Sequence, residues 1–373
     1  MAETVEPELL ISTIRQKGMG GTSVGVGKDD AALFQNPAAL TKLGGFHLKF
    51  SRLRGEPSTQ WFEKQSKISE ILEKKGNEGE VSSQTELLKA LVPMQVGLNF
   101  ATSPLLAVSM PGVALGAYIE SQSFGDLVDQ NSPRLEFRSN TDASAMLGMA
   151  EKFTFFNTDV SLGISARYLT RAKVYNKTTG DLIYKLGTAD ILAHINNKNK
   201  QDPSFFMLSG FGVDVGMLAP LFTPIGEASW GVVVKNIGSS LSGQRDREDS
   251  NKKTYKENVT ATLPVIGAIG ISVDTQAVNL PGIFEGTKLA ADYKFLSEEK
   301  EWLRNFYLGI EQSAFFDVLK LRAGIKQGYV TAGVGLNFWI LHLDYAYDVI
   351  DFGKLVSEGK KLDYHIFEIG ILF

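Results

Sequence analysis

A two-residue alternation of apolar and polar side chains runs through most of this chain and constrains its fold more than any other feature. Between Asp159 and Thr170, apolar residues occupy every second position, with polar or small residues between them. The alternation recurs from Leu341 to Tyr347 and from Phe367 to Phe373. Because successive side chains of a β-strand point to opposite faces, this period indicates strands with one apolar face.

Strand number and length favour a barrel in a membrane. About fourteen such segments can be placed, each roughly nine to fifteen residues long, as in transmembrane β-barrels. Strands of soluble sandwiches are shorter, with a mode of about five or six residues. The predicted fold is therefore all-β: one antiparallel transmembrane β-barrel domain of about fourteen strands, over residues 44–373.

The connections between these strands alternate in length. Those after strands one, three, five and seven are long, and those after strands two, four, ten and twelve are tight. Outer-membrane barrels have long loops at one end and short turns at the other. In the first long connection, Trp61–Lys75 and the residues up to Val92 have the spacing of short amphipathic helices. These helices would fold over the barrel rim or offer a landing site for a ligand or partner.

A glycine-rich stretch, Gly18–Leu40, precedes the first strand and has no apolar repeat. Pro37 fixes its own φ, and the Asn36 side chain can bond nearby backbone and close a tight turn. Irregular backbone at membrane depth is tolerated inside protein or beside a water-filled cavity. We therefore predict that residues 1–43 form an N-terminal hatch that plugs the lumen.

Signals for catalysis, cofactors and metals are weak. The glycines of the hatch lack the spacing of a nucleotide-binding loop, since Ser23 stands where the dinucleotide fingerprint needs its third glycine. The four histidines lack metal-ligand spacing, cysteine is absent, and there is no Gly-x-Ser-x-Gly elbow. A net charge of −4 gives no reason to expect nucleic acid. The chain is predicted to be no enzyme, with no cofactor and no metal.

The chain start leaves two alternatives open. MAETVEPELL lacks the basic-then-apolar pattern of a secretory signal, so the protein is not exported or the chain is a mature form. No run of eighteen or more apolar residues exists, so the sequence predicts no helix that spans a membrane. A soluble all-β protein stays an alternative because no secretory signal pattern is visible.

Three short motifs and two longer segments resemble a known family. Gly18–Gly21, Asp29–Ala31 and Asn36–Ala38 are similar to the N-terminal signature of the FadL superfamily, bacterial outer-membrane transporters of long-chain fatty acids and other hydrophobic compounds. Trp230–Gly238 and Leu321–Tyr347 resemble its PorV/PorQ-like branch more closely. The resemblance covers essentially the whole chain.

This resemblance implies a fourteen-stranded barrel in the bacterial outer membrane, with a hatch in its lumen and a bend in the third strand that opens a lateral exit. Pro111 and Gly112 lie in the middle of the predicted third strand and mark either that exit or a local bulge. Arg167 is a candidate charge inside the barrel. The predicted hatch and ligand-binding residues are Gly20, Leu33, Phe34, Asn36, Pro37, Ala38 and Leu40.

Two functions follow from the resemblance. The first is binding a hydrophobic small molecule or lipid and passing it through the plugged lumen, with membrane lipid as the surrounding partner. The alternative is a PorV-like docking or shuttle component of an envelope protein-secretion complex, which would bind a secreted or envelope protein through the long surface loops.

Overall fold

Antiparallel strands form a closed barrel in the computed structural model, which describes residues 12–26, 31–73, 81–196, 203–249, 251, 253–280, 283–296, 302–351 and 361–372. The described strands are β1 (His47–Pro57), β2 (Met94–Met110), β3 (Val113–Val128), β4 (Arg134–Phe155), β5 (Thr158–Tyr175), β6 (Tyr184–Leu186), β7 (Ser204–Thr223), β8 (Gly226–Glu248), β9 (Thr254–Thr262), β10 (Ile266–Leu280), β11 (Phe284–Leu296), β12 (Phe306–Ala314), β13 (Leu319–Lys326), β14 (Tyr329–Phe338), β15 (Leu341–Asp351) and β16 (Lys361–Leu372).

Fourteen of these strands make the ring. Neighbours along the chain pair with each other, β1 pairs with β16, and β8 pairs with β10, so the ring has no open edge. The two others extend it: β6 pairs with β4, and β9 pairs with β8. The predicted fold class, a fourteen-stranded antiparallel barrel, is confirmed.

The described helices are few and short: α1 (Ile14–Gly18), α2 (Ala32–Gln35), α3 (Thr59–Glu73), α4 (Val81–Leu91) and α5 (Thr188–Ile195), with 3-10 helices at Pro37–Lys42 and Trp302–Asn305. None of these described helices has the length and apolar character needed to cross a bilayer.

The alternation sorts side chains between the lumen and the exterior. On β4, Met146 is 1% exposed and its neighbour Leu147 is 50% exposed; on β5, Ser165 is 1% exposed and Ile164 is 52% exposed. Apolar residues thus cover the outside of the wall, while the inward face carries polar, charged and small residues, together with apolar clusters near its two ends. An apolar exterior around a closed ring is how a barrel faces lipid, in agreement with the predicted location in a bacterial outer membrane.

The two ends of the barrel differ. Residues 111–112, 156–157, 224–225, 315–318 and 339–340 are brief turns at one end, which we call the short-turn end. At the other end, the loop end, the chain between β1 and β2 contains α3 and α4, and the chain between β5 and β7 contains β6 and α5. This asymmetry was predicted from the connection lengths.

The predicted position of Pro111 and Gly112 within a strand is wrong. They form the turn between β2 and β3, and Gly112 has a φ of +78°. Proline followed by glycine at positive φ is the sequence preference of a type II turn. The bend predicted for the third strand therefore has no basis at these residues.

The wall is irregular at another proline. Between the pairs Thr102–Ile119 and Leu106–Ala117, four residues of β2 advance against two of β3. The register of β1 also shifts against both of its neighbours in this region. Pro104 lies in the irregular part of β2, where its missing N–H removes a possible ladder bond.

The loop-end helices pack against the outside of the wall. Leu127 shares a strand face with the exposed Leu115 and Ile119 but is itself 2% exposed. It belongs to an apolar cluster with Ile71 of α3, Leu88 of α4 and residues of α5. The helices predicted in the first long connection are therefore present, and they cover the outer face of β3 and β4 at the loop end.

Candidate functional site

The described residues before β1 lie inside the barrel. We call residues 12–26 and 31–43 the luminal segment. Its α1 contacts β13, β14 and β15, and its 3-10 helix contacts β4, β5 and β7 across the ring. The segment enters near the loop end, where Arg54 donates a hydrogen bond to the Ser12 carbonyl, and leads to β1 at the short-turn end. Residues 1–11, Gly27, Lys28, Asp29 and Asp30 lie outside the described residues.

Inward-facing glycines make room for the backbone of the luminal segment. A Cβ added at Gly163 would lie 2.3 Å from the Ala38 nitrogen, and one added at Gly216 would lie 2.0 Å from Asn36 Oδ1. Gly163 and Gly216 are directly paired neighbours on β5 and β7. Any larger residue at either position would occupy space that the segment fills.

The same arrangement recurs on the opposite wall. A Cβ added at Gly309 would lie 2.4 Å from the Met19 oxygen, and one added at Gly324 would lie 2.3 Å from the Gly20 nitrogen. These two glycines are also directly paired, on β12 and β13. We call Gly163, Gly216, Gly309 and Gly324 the glycine seat, because the luminal segment rests on it at Met19–Gly20 and at Asn36–Ala38.

Asn36 connects three parts of the structure. It is fully buried and caps the 3-10 helix, its Oδ1 accepting a hydrogen bond from Ala38 N at 3.2 Å. Its Nδ2 donates to the carbonyl oxygens of Val24 (3.0 Å) and Met217 (3.1 Å). Pro37 at the start of the helix supplies a preset φ. The Asn36–Ala38 turn is thus anchored to the wall and to the rest of the segment.

Gly20 provides a second anchor. Its φ is +65°, which favours glycine, and its backbone N–H donates to Thr331 Oγ1 at 2.9 Å. The Thr331 hydroxyl in turn donates to the Gly18 carbonyl at 3.2 Å. Thr331 is fully buried on the inward face of β14.

The predicted ligand residues Leu33, Phe34 and Leu40 are packed against the wall. Each is at most 5% exposed, and they belong to one apolar cluster near the short-turn end. Phe34 meets Tyr118 edge to face at 4.8 Å between ring centroids. The wall residues of this cluster are Ala114, Tyr118, Met146 and Leu218. Leu33, Phe34 and Leu40 therefore pack against the inward face of the wall here.

Ion pairs hold α1 in place, and the sequence carries no signal for the Arg15 pair because its partner Glu311 lies 296 residues away on β12. The Arg15 guanidinium donates two hydrogen bonds to the Glu311 carboxylate, at 2.8 and 2.9 Å. Arg322 also donates to Glu311, at 2.8 Å, and to Asp344, at 2.6 Å. Removing one member of such a buried network leaves a charge without compensation.

Lys17 makes a second set of ion pairs with the wall. Its Nζ lies 3.1 Å from Glu56 Oε2 and 3.9 Å from Asp348 Oδ2. Glu56 also pairs with Arg54 at 2.7 Å, and Asp348 pairs with Lys326 at 2.8 Å. Alternating charges thus surround α1 on the loop-end side of the glycine seat.

The predicted luminal charge, Arg167, faces inward but is already paired. Its Nη2 bonds to Asn236 Oδ1 and lies 3.8 Å from Asp214 Oδ1. Asp214 Oδ1 also accepts the Asn236 backbone N–H at 2.8 Å. This pairing with neighbouring strands makes Arg167 part of the wall, and the structure does not bring it together with the predicted ligand residues.

Apolar side chains face inward at the loop end, where a water-filled lumen would have polar ones. The cluster consists of Leu169, Tyr175, Phe206, Leu208 and Leu241, with partly buried neighbours from β9. We call these five residues the entrance cluster. The rings of Tyr175 and Phe206 pack edge to face at 5.2 Å. The sequence signal for this cluster is the appearance of Leu and Phe at inward positions.

A guanidinium lies over the entrance cluster. The Arg245 Cζ is 5.9 Å from the ring centroids of both Tyr175 and Phe206. Arg245 Nε donates to Glu257 Oε2 at 2.7 Å, and this hydrogen bond lowers the pKa of the Glu257 carboxyl. The described residues include no group of three or more His, Asp or Glu side chains that could hold a metal ion.

Comparisons with known proteins give structural matches alone. No protein-family model matches the sequence, and no curated protein matches it. The toluene transporter TbuX of Ralstonia pickettii aligns with a TM-score of 0.49 and 13% identity, over 97% of this chain and 98% of that one. The monoaromatic hydrocarbon channel CymD gives 0.46 and 11%, over 98% of both chains. The toluene transporter TodX of Pseudomonas putida gives 0.45 and 10%, over 98% and 97%.

Proposed function

We propose that this protein binds a hydrophobic small molecule or lipid at the loop end of its barrel and passes it across the bacterial outer membrane. The observation that supports this proposal most directly is the entrance cluster, five apolar residues on the inward face of the wall. Each of the five is at most 6% exposed, so an apolar ligand enters by displacing these side chains from one another. It is then stabilised by about 25 cal/mol per Å² of buried apolar area, before the cost of association.

The luminal segment would act as the hatch. Its charged α1 and its apolar short-turn end together cross the lumen, so a ligand that enters at the loop end meets a closed path. Because the glycine seat and Asn36 hold the segment at Met19–Gly20 and at Asn36–Ala38, we propose that the ligand leaves through the wall rather than past the Asn36–Ala38 turn.

The irregular part of β2 beside Pro104 supports this lateral exit. A strand with extra residues and a missing N–H has fewer ladder bonds to break. The register shifts of β1 occur at the same height, so three adjacent strand pairs, β16–β1, β1–β2 and β2–β3, are irregular there. We propose this region, in place of Pro111 and Gly112, as the exit.

A matched pair of substitutions tests the proposal. Phe206 belongs to the entrance cluster, while its neighbour Phe205 points outward and is 65% exposed. We expect Phe206→Ser to weaken binding of the fluorescent apolar probe N-phenyl-1-naphthylamine by about five- to thirtyfold, which corresponds to about 1–2 kcal/mol of lost apolar contact. Phe205→Ser should leave binding unchanged. Equal affinities in both folded variants would contradict the proposal.

The second candidate, a docking or shuttle component for a secreted protein, would use α3. This helix stands at the loop end with Phe62 47% exposed. A stoichiometric protein captured from native membranes by the full chain, and lost when residues 61–75 are deleted, would favour docking. Capture that is undiminished by the deletion would count against this role for α3.

A further inference from the structure

An apolar slot of about 740 Å³ lies on the outward face of the barrel, where β1 meets β2 and β16. Two cross-strand rows form it. In the row nearer the loop end, Gly55 is paired with Phe100 on one side and with Phe367 on the other. In the row nearer the short-turn end, Leu53 is paired with Thr102 and Ile369. The irregular part of β2 begins directly beyond this second row.

Gly55 forms the floor of the slot. A Cβ added there would have no heavy atom of the described residues within 4 Å, apart from the adjacent residues of the chain. The flanking Phe100 and Phe367 are 55% and 52% exposed, so their rings stand out from the wall on either side of the glycine. The slot is therefore bounded by two aromatic side chains on the barrel exterior, and the space over Gly55 is open.

Aromatic and polar groups close the slot toward the loop end. Tyr345 packs on Phe367 at 5.3 Å, and its hydroxyl is 2.8 Å from His365 Nδ1. Phe62 of α3 lies edge to face on His365 at 5.6 Å. Imidazole and phenol groups favour the membrane–water boundary, where one part of the side chain is apolar and another is hydrated. The slot thus extends from headgroup depth into the hydrocarbon.

We propose that this slot is a binding site for one hydrocarbon chain of a membrane lipid whose headgroup lies at the level of His365. The slot is continuous with the lipid-facing wall, so lipid chains reach it without crossing protein. Its lining gives water few hydrogen-bond partners, and an unfilled cavity would forfeit the contacts of its lining atoms. The site goes beyond the proposed function, because it faces the bilayer and not the lumen.

The test fills the slot with an added side chain. Gly55→Phe and Gly55→Val place a side chain on its floor, and Ala166→Phe adds the same ring at an exposed, outward position on β5 as the matched control. Each purified barrel is titrated with palmitoyl-oleoyl phosphatidylethanolamine, and native mass spectrometry counts the retained lipids. The change in gel migration on heating identifies the variants that have folded. If Gly55→Phe does not fold, Gly55→Val is used in its place.

We expect the wild type and Ala166→Phe to retain one lipid, and the Gly55 variants to lose it, with apparent affinity lower by about tenfold. Equal lipid retention by a folded Gly55 variant and the wild type would overturn the site. A wild type that retains no lipid would do the same. A retained species whose mass is not that of the lipid, lost from the Gly55 variants, would overturn the assignment of the occupant.

Discussion

A single added methyl group at Gly163 tests whether the wall and the luminal segment are built to fit each other. The Cβ of Gly163→Ala would lie 2.3 Å from Ala38 N and 2.4 Å from Pro37 C. Ordinary contact begins at 3.4 Å, so the segment or the strand must move by about 1.1 Å, the difference between 3.4 and 2.3 Å. Both neighbouring atoms are backbone, which cannot rotate away as a flexible side chain can.

Overpacking of this kind costs about 1–3 kcal/mol, and we expect the upper part of that range because the Asn36–Ala38 turn is anchored by hydrogen bonds. The free energy of unfolding in urea, measured on barrels reconstituted in lipid vesicles, gives the cost. Gly55→Ala is the matched control: the same change on a strand of the same barrel, where the added methyl group has no heavy atom of the described residues within 4 Å apart from its chain neighbours.

The reasoning is refuted if Gly163→Ala unfolds at the same urea concentration as Gly55→Ala. Equal losses of stability in the two variants would also refute the reasoning, since they would report a general intolerance of the strands to alanine.

Three further predictions concern the anchors of the luminal segment. Asn36→Ala removes the donor to Val24 O and Met217 O, so two carbonyl oxygens lose a partner. We expect the free energy of unfolding to fall by about 1–3 kcal/mol. Urea unfolding measures this change, and a difference within experimental error would contradict the prediction. Gly216→Ala should couple to Asn36→Ala, since the added Cβ meets Asn36 Oδ1 at 2.0 Å; the double variant should cost less than the sum of the two single variants, and strict additivity would exclude the clash. Arg15→Met should destabilise by about 1–3 kcal/mol through the loss of two charge-assisted bonds to Glu311; Lys89→Met, which removes an exposed pair with Glu86, is the control and should change stability by less than about 1 kcal/mol.

The number and order of the strands could be predicted because the two-residue period is local and persists over whole strands. The outward position of Ile164 and the inward position of Ser165 are a pattern that the sequence carries by itself. The turn at Pro111 and Gly112 was missed for a physical reason. Near the short-turn end the inward face is also apolar, since Ala114 and Tyr118 pack on the luminal segment, and no polar interval marks where β2 ends.

The seat of the luminal segment depends on three-dimensional register and could not be read from the sequence. Gly163 lies beside Gly216, and both contact the Asn36–Ala38 turn, because of how β5 and β7 are aligned around the ring. The anchoring by Arg15 likewise depends on Glu311, at a separation of 296 residues, and Lys17 pairs with residues of two different strands, Glu56 and Asp348. Asn36 and Gly20 were found because turn chemistry is local.

The conductance of the barrel in a planar lipid bilayer tests the central claim, that the N-terminal residues close the lumen, most directly. The full chain should show no stable ionic current, and a variant that lacks residues 1–43 should show stable current steps of a wide pore, since that deletion removes α1, the Asn36–Ala38 turn and the apolar cluster at once. Equal current steps from the full chain and the deletion variant would contradict the claim, as would a folded deletion variant that remains closed.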